Sequence, residues 1–190
     1  ERNLQALIQK ITPLLYVLEK LDEADIRYGL YAGSHVAVLV NNRVPTDVDF
    51  LVHDDDLPRL KSAFPFAKTK DVGDGVFLYV GDNDVIEFMG AADVIKGEEV
   101  YPFRLTDLAV SKLTTYDIED VKINLVDPVD TLLLKAILKQ GADKGKHDLE
   151  DIEAVLQITE LDAGYLSKRL KESGAMNITK GVWDKFGVKP

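Results

Sequence analysis

The stretch "GSHVAVLVNNRVPTDVDFLV", Gly33 to Val52, decides how the rest of the chain is read. It opens on a Gly-Ser pair, and twelve residues (35–46) separate that pair from Asp47 and Asp49. The alternation of Val48, Phe50 and Val52 predicts a strand over "DVDFLV", with those three apolar residues on one face. Residues i and i+2 of a strand point the same way. Asp47 and Asp49 are therefore expected to project together, about 6–7 Å apart at their Cα atoms. Like charges that close repel unless something positive lies between them. Mg²⁺ meets that need: it takes one or two carboxylates, keeps waters and completes its shell with substrate phosphates. Two such ions stabilise the attacking and leaving oxygens of an in-line phosphoryl displacement.

Working outward, "IRYGLYA" reads as a strand ending at Gly33-Ser34, and "HVAVLVN" as a short helix. A Gly-Ser pair at such a junction lets a phosphate approach backbone N–H groups, with a helix N-terminus behind them. "DDDLPRLKSAF" carries N-cap carboxylates and an early Pro, so it predicts a helix. "GVFLYVG-DND-VIEFMG" predicts a β-hairpin around an Asp-Asn-Asp turn. Leu4, Leu7, Ile8 and Ile11 have helical spacing. Thr12-Pro13 looks like an N-cap and first helical residue for a second helix reaching about Ala24. "VYPFRL", "AVSKLTTY" and "VKINLV" are strand-like.

From Asp127-Pro128 the pattern turns helical, over about 128–140, 147–158 and 162–172, and the last dozen residues read as a loosely attached tail. The fold class expected is α+β: a mixed sheet flanked by helices, followed by a C-terminal helical region. The domains expected are residues 1–126, with the N-terminal helix, and 127–190.

The 190 residues include no cysteine, so disulfides and thiolate metal sites are excluded. No apolar run is long enough to span a bilayer, and a soluble cytoplasmic protein is the expectation. The net charge of −10 argues against a broad nucleic-acid surface, although Lys and Arg are locally dense between Lys135 and Lys146. His35, His53 and His147 lack zinc-ligand spacing; His35 reads equally as a phosphate-pocket residue or a solvated loop residue. Walker loops and Gly-x-Ser-x-Gly elbows are absent.

"AGS" (32–34), the spacer, then "DVDF" (47–50) resembles the signature of the nucleotidyltransferase superfamily. That superfamily spans DNA polymerase beta, CCA-adding and poly(A) enzymes, and antibiotic and minimal bacterial nucleotidyltransferases. Arg43 and Thr46 add to the likeness, since "R-x-x-T-D-x-D" is similar to the small bacterial and abortive-infection branches. The resemblance covers about residues 26–90. It implies a third carboxylate on a later strand, for which Glu87 in "VIEFM" is the candidate and Asp84 the fallback. The family usually has Asp there, so Glu87 is a departure.

The resemblance further implies Mg²⁺ or Mn²⁺ held by Asp47, Asp49 and Glu87, and an NTP, ATP among the candidates, held through Gly33, Ser34, Arg43 and Thr46. It implies transfer of a nucleoside monophosphate to an acceptor hydroxyl, on an RNA 3′ end, a protein or a small molecule. "LLLKAILKQGADKGKHDLEDI" resembles the helical part of abortive-infection nucleotidyltransferases. By that likeness Lys135 contacts phosphates and Asp148 orients it or serves as an auxiliary acid or base. The alternatives are a catalytically weak or inactive binding module, such as a toxin–antitoxin component, and a plain α/β scaffold whose acids are surface decoration.

Overall fold

A computed structural model describes residues 1–190 apart from Asn41, Asn42, Val44, Gly73, Asp74, Asp82 and Asp84. The chain runs α1 (Arg2–Lys10), α2 (Leu14–Glu23), β1 (Tyr28–Leu30), α3 (Ala32–Val40), β2 (Val48–Val52), α4 (Leu57–Ala63), β3 (Lys68–Val72), β4 (Gly75–Val80) and β5 (Ile86–Gly90). It continues with β6 (Asp93–Lys96), β7 (Glu99–Pro102), α5 (Asp107–Val110), β8 (Thr114–Ile118), β9 (Val121–Leu125), α6 (Pro128–Leu138), α7 (Asp148–Leu156), α8 (Ala163–Ser173) and α9 (Met176–Lys185). Two compact units result: residues 1–92 with 104–127, and residues 93–103 with 128–190.

The first unit is a mixed sheet in the order β3-β4-β5-β2-β1-β9-β8. β2 runs parallel to β5 and antiparallel to β1, and β1 runs parallel to β9. Val48, Phe50, Val52, Ile86 and Phe88 alternate onto one face and are fully buried. They share a core with Leu14, Val17, Leu18 and Leu21 of α2 and with Leu4, Leu7 and Ile8 of α1. Those helical residues fall at i, i+3, i+4 and i+7, the spacing that keeps one stripe of a helix against a sheet. Phe50, Phe88 and Phe64 stack at 5.5 Å between successive ring centroids. Asp49 and Glu87 alternate with these core residues and so belong to the opposite face.

The second unit pairs the hairpin β6–β7 with α6–α9. Asp130, wholly buried in the first turn of α6, accepts hydrogen bonds from Tyr165 Oη and Arg169 Nε, each at 2.6 Å. Asp162 caps α8 by accepting from the Tyr165 N–H at 2.9 Å. A buried carboxylate needs such partners, because an unpaired charge away from water is costly.

Several expectations are corrected. The C-terminal stretch is not a loose tail: α9 buries Val182, Trp183 and Thr179, and the Trp183 indole N–H donates to Thr179 Oγ1 at 2.8 Å. "AVSKLTTY" splits between α5, capped by Thr106, and β8. Pro13 rather than Thr12 occupies the α2 N-cap, with no side-chain cap bond. His35 is neither a loop residue nor solvated; it is buried in α3. β3 and β6 were not anticipated.

Candidate active site

The site begins at the turn between β1 and α3. The chain leaves β1 through Tyr31 and enters α3 at Ala32, whose φ of +56° is left-handed. Gly33 and Ser34 therefore lie in the first turn of α3 rather than before it. The opening N–H groups of a helix lack intrahelical partners, and the dipole there favours an anion. A Cβ built on Gly33 would stand 3.7 Å from Arg43 Nη2, so the Arg43 guanidinium flanks this turn.

Ser34 is 2% exposed, and its hydroxyl donates to the Tyr31 carbonyl at 3.1 Å. The Asp49 N–H donates to Ser34 Oγ at 3.0 Å, and the Tyr31 N–H donates to the Asp49 carbonyl at 3.0 Å. Asp49 sits opposite Glu87 in the parallel β2–β5 register, and Glu87 sits opposite Tyr79 in the antiparallel β5–β4 register. Tyr79, Glu87 and Asp49 thus form a row across three strands. Thr46 and Asp47 are exposed in the bend leading into β2. β2 starts at Val48, so Asp47 precedes the strand instead of opening it.

Tyr31 is buried beside this row, its phenol donating to Met89 Sδ at 3.5 Å. Burial first, then the charges of Asp49 and Glu87, push the phenol well above its usual pKa. Burial alone pulls the His35 imidazole down to about 3, so it is neutral at physiological pH.

The donor set Asp47, Asp49 and Glu87 is all oxygen, the chemistry of a hard cation. Among the described residues, no group of three or more His, Asp or Glu side chains is gathered closely enough to hold a metal ion. Asp49 and Glu87, neighbours across two strands, still fit a cation that needs only one or two carboxylates. The fallback Asp84 lies outside the described residues.

In the second unit, Lys135 is 7% exposed and its ammonium lies 2.9 Å from both Asp148 Oδ1 and Asp151 Oδ2. The Gln140 N–H donates to Asp148 Oδ2 at 2.8 Å. The sequence singles out Lys135 and Asp148 but not their partner Asp151, one turn on from Asp148 and on the same face. Nor does it single out Tyr31 or Tyr79. Tyr79 was legible as the polar-tipped residue between Leu78 and Val80; nothing local marked Tyr31.

The chain has the nucleotidyltransferase fold. It is similar to an antigenic nucleotidyltransferase-like protein from Paracoccidioides brasiliensis, at 18% identity and a TM-score of 0.50, covering 94% of this chain and 92% of that one. It is also similar to the antibiotic-resistance factor ANT(2″)-Ia in complex with adenylyl-2″-tobramycin, at 8% identity and a TM-score of 0.53, covering 94% and 99%. The solution structure of ANT(2″)-Ia gives 10% identity and a TM-score of 0.51, covering 96% and 92%. No family model and no curated protein matches the sequence. Among the described residues, no helix is long and apolar enough to cross a membrane.

Proposed function

We propose that this chain is a divalent-metal-dependent nucleotidyltransferase that moves a nucleoside monophosphate from an NTP to an acceptor hydroxyl. The observation that carries the reading is the register of Asp49 against Glu87, beside the Gly33-Ser34 turn and Arg43. The first turn of α3, open at Gly33, and the Arg43 guanidinium receive the triphosphate, with Thr46 alongside. Asp49 and Glu87 would hold Mg²⁺ or Mn²⁺, with Asp47, exposed in the bend before β2, as the further carboxylate of the motif. When bound, the cation neutralises charge on the phosphates.

The acceptor hydroxyl oxygen forms a bond to the α-phosphorus as the bond from that phosphorus to the bridging oxygen breaks, and pyrophosphate leaves. Glu87 takes the hydroxyl proton. The chain's share of catalysis is positioning and electrostatics, with no covalent intermediate. The resemblance also assigns Lys135, held between Asp148 and Asp151 in the second unit, to nucleotide phosphates. The charge of −10 favours a small, hydroxyl-bearing acceptor over a long nucleic acid.

A second reading, nucleotide binding without turnover as in a regulatory or toxin–antitoxin module, is favoured by Glu87 in the usual Asp position and by the absence of a tight three-carboxylate cluster among the described residues. Transfer from α-³²P-labelled NTPs to a panel of RNA ends, proteins and aminoglycosides separates the two. Label transfer that Asp49→Asn abolishes supports the enzyme. Tight NTP binding with no transfer or pyrophosphate release across the panel supports the module.

A further inference from the structure

We infer that the β3–β4 edge of the sheet, at Lys68, Lys70, Phe77 and Tyr79, is the acceptor subsite, and that the acceptor carries a planar ring and negative charge as well as its hydroxyl. The inference rests on the proposed reading of Glu87 as the carboxylate that meets that hydroxyl. β4 runs antiparallel beside β5, with Tyr79 opposite Glu87 and Phe77 opposite Met89. Directly opposed residues share a face, so both rings belong to the side of the sheet that carries Glu87. Leu78 and Val80 alternate with them and are buried in the core on the other side. Phe77 and Tyr79 are only half-buried. Their Cα atoms stand about 6–7 Å apart along the strand.

β3 carries this face to the edge of the sheet. Lys68 lies opposite Tyr79 and Lys70 opposite Phe77, and both lysines are exposed. Each ring on β4 therefore has a lysine on its outer side. Among the described residues, these two are the charged residues that β3 and β4 give to this face. Aromatic side chains offer a planar group a stacking surface, and lysines beside them favour an anion. A cation at Asp49 and Glu87 neutralises the adjoining acids and leaves the ledge with its positive charge. An acceptor bearing several ammonium groups meets like charge there; one bearing a phosphate meets opposite charge. From Glu87 to Lys68 is two strand spacings, about 10 Å. That reach suits one ring-and-phosphate unit, such as a nucleoside monophosphate.

The test uses the full chain with Mg²⁺ and a saturating non-hydrolysable NTP analogue, so that the nucleotide site is filled. Adenosine monophosphate, adenosine, ribose 5-phosphate and tobramycin are then titrated in as probes. Adenosine monophosphate should bind tightest, and the polycationic tobramycin weakest. Lys68→Gln with Lys70→Gln should weaken adenosine monophosphate about fivefold or more and leave adenosine unchanged. Phe77→Leu and Tyr79→Leu should each weaken both ring-bearing probes about tenfold and leave ribose 5-phosphate unchanged. The exposed lysines keep the test decisive should a ring variant fail to fold. Tobramycin binding more tightly than adenosine monophosphate overturns the inference, as does adenosine monophosphate affinity that ignores the substitutions. An equal loss of affinity for the NTP analogue also overturns it, since the ledge would then hold the base of the NTP. If the native chain does not bind the analogue with Mg²⁺, the parent reading fails. The same probes on the free chain then decide the ledge: the same order of affinities supports it, and no binding overturns it.

Discussion

Asp49 on β2 and Glu87 on β5 face each other in parallel register, on the side of the sheet opposite the Phe50–Phe88 stack. The core side of each strand fixes where its carboxylate stands. A one-residue slip of either strand would move its acid into the core and its phenylalanine out. The phenylalanines thus act as the registration device for the site.

Two glycines near this sheet should respond oppositely to alanine. A Cβ on Gly29 would meet Val126 Cγ1 at 2.6 Å and Leu113 Cδ2 at 2.8 Å, whereas one on Gly33 would have 3.7 Å to Arg43 Nη2. Gly29→Ala should destabilise by about 1–3 kcal/mol through overpacking, with little effect on NTP affinity in the folded fraction. Gly33→Ala should change stability by less than about 0.5 kcal/mol yet weaken NTP binding about tenfold or more, by blocking close phosphate approach. Urea unfolding and calorimetry on both variants check this; equal effects on both quantities would contradict it.

His35 predicts a stability slope on the acid side. Its pKa is lowered by burial from 6.5 to about 3. Between those values the unfolded chain takes up a proton that the folded chain does not. Stability should therefore fall as pH drops below about 6.5, by at most about 1.4 kcal/mol per pH unit. His35→Gln should flatten that window in urea titrations run from pH 7.5 down to pH 4. Parallel curves for the two proteins would refute the assignment.

Asp56 adds a second acid-side term. It is 1% exposed and holds Arg27 at Nε (3.0 Å) and Nη2 (3.0 Å), and Arg59 Nη2 at 2.6 Å. Burial alone would raise its pKa; the hydrogen bonds from Arg27 and Arg59 outweigh this and hold it far below the usual carboxylate value. A depressed carboxylate stabilises above its unfolded pKa and loses that contribution as pH falls through the folded one. Asp56→Ala should cost about 3 kcal/mol at pH 7, and less as the pH is lowered beneath the ordinary aspartate value. A pH-independent difference in unfolding free energy would count against it.

Lys135 separates stability from binding. Lys135→Met leaves Asp148 and Asp151 buried without their cation, at a cost of about 3–5 kcal/mol. Adding Asp148→Asn and Asp151→Asn should recover most of that loss in thermal melts. If Lys135 serves the nucleotide, the recovered triple variant should still bind NTP about tenfold more weakly than the native chain. Native-like affinity in the triple variant would confine Lys135 to packing.

Much of the first unit was legible because its signals are local. Val48, Phe50 and Val52 alternate, Leu14, Leu18 and Leu21 keep helical spacing, and Gly33-Ser34 with Asp47 and Asp49 carries the motif. What sequence left hidden depends on distant partners. The alternation could not show that Ser34 Oγ would be spent on Asp49, fifteen residues away in the chain. Nor could it show that the charges of both carboxylates would act on the buried Tyr31 phenol. The C-terminal stretch looked loose because its apolar content is sparse, yet Val182 and Trp183, adjacent in α9, are enough to bury one face. β6 exposes the apolar Ile95, so the usual inside–outside alternation gave no strand signal there.

Under the proposed function, Asp49 with Glu87, and Asp47 before them, serve a metal-dependent nucleotide site. Calorimetric titration of each NTP with Mg²⁺, on the native chain and on Asp47→Asn/Asp49→Asn, tests it most directly. Binding by the native chain should require Mg²⁺ and should be lost in the double variant while the fold is kept. No binding by the folded native chain, or binding that survives the double substitution, would contradict it.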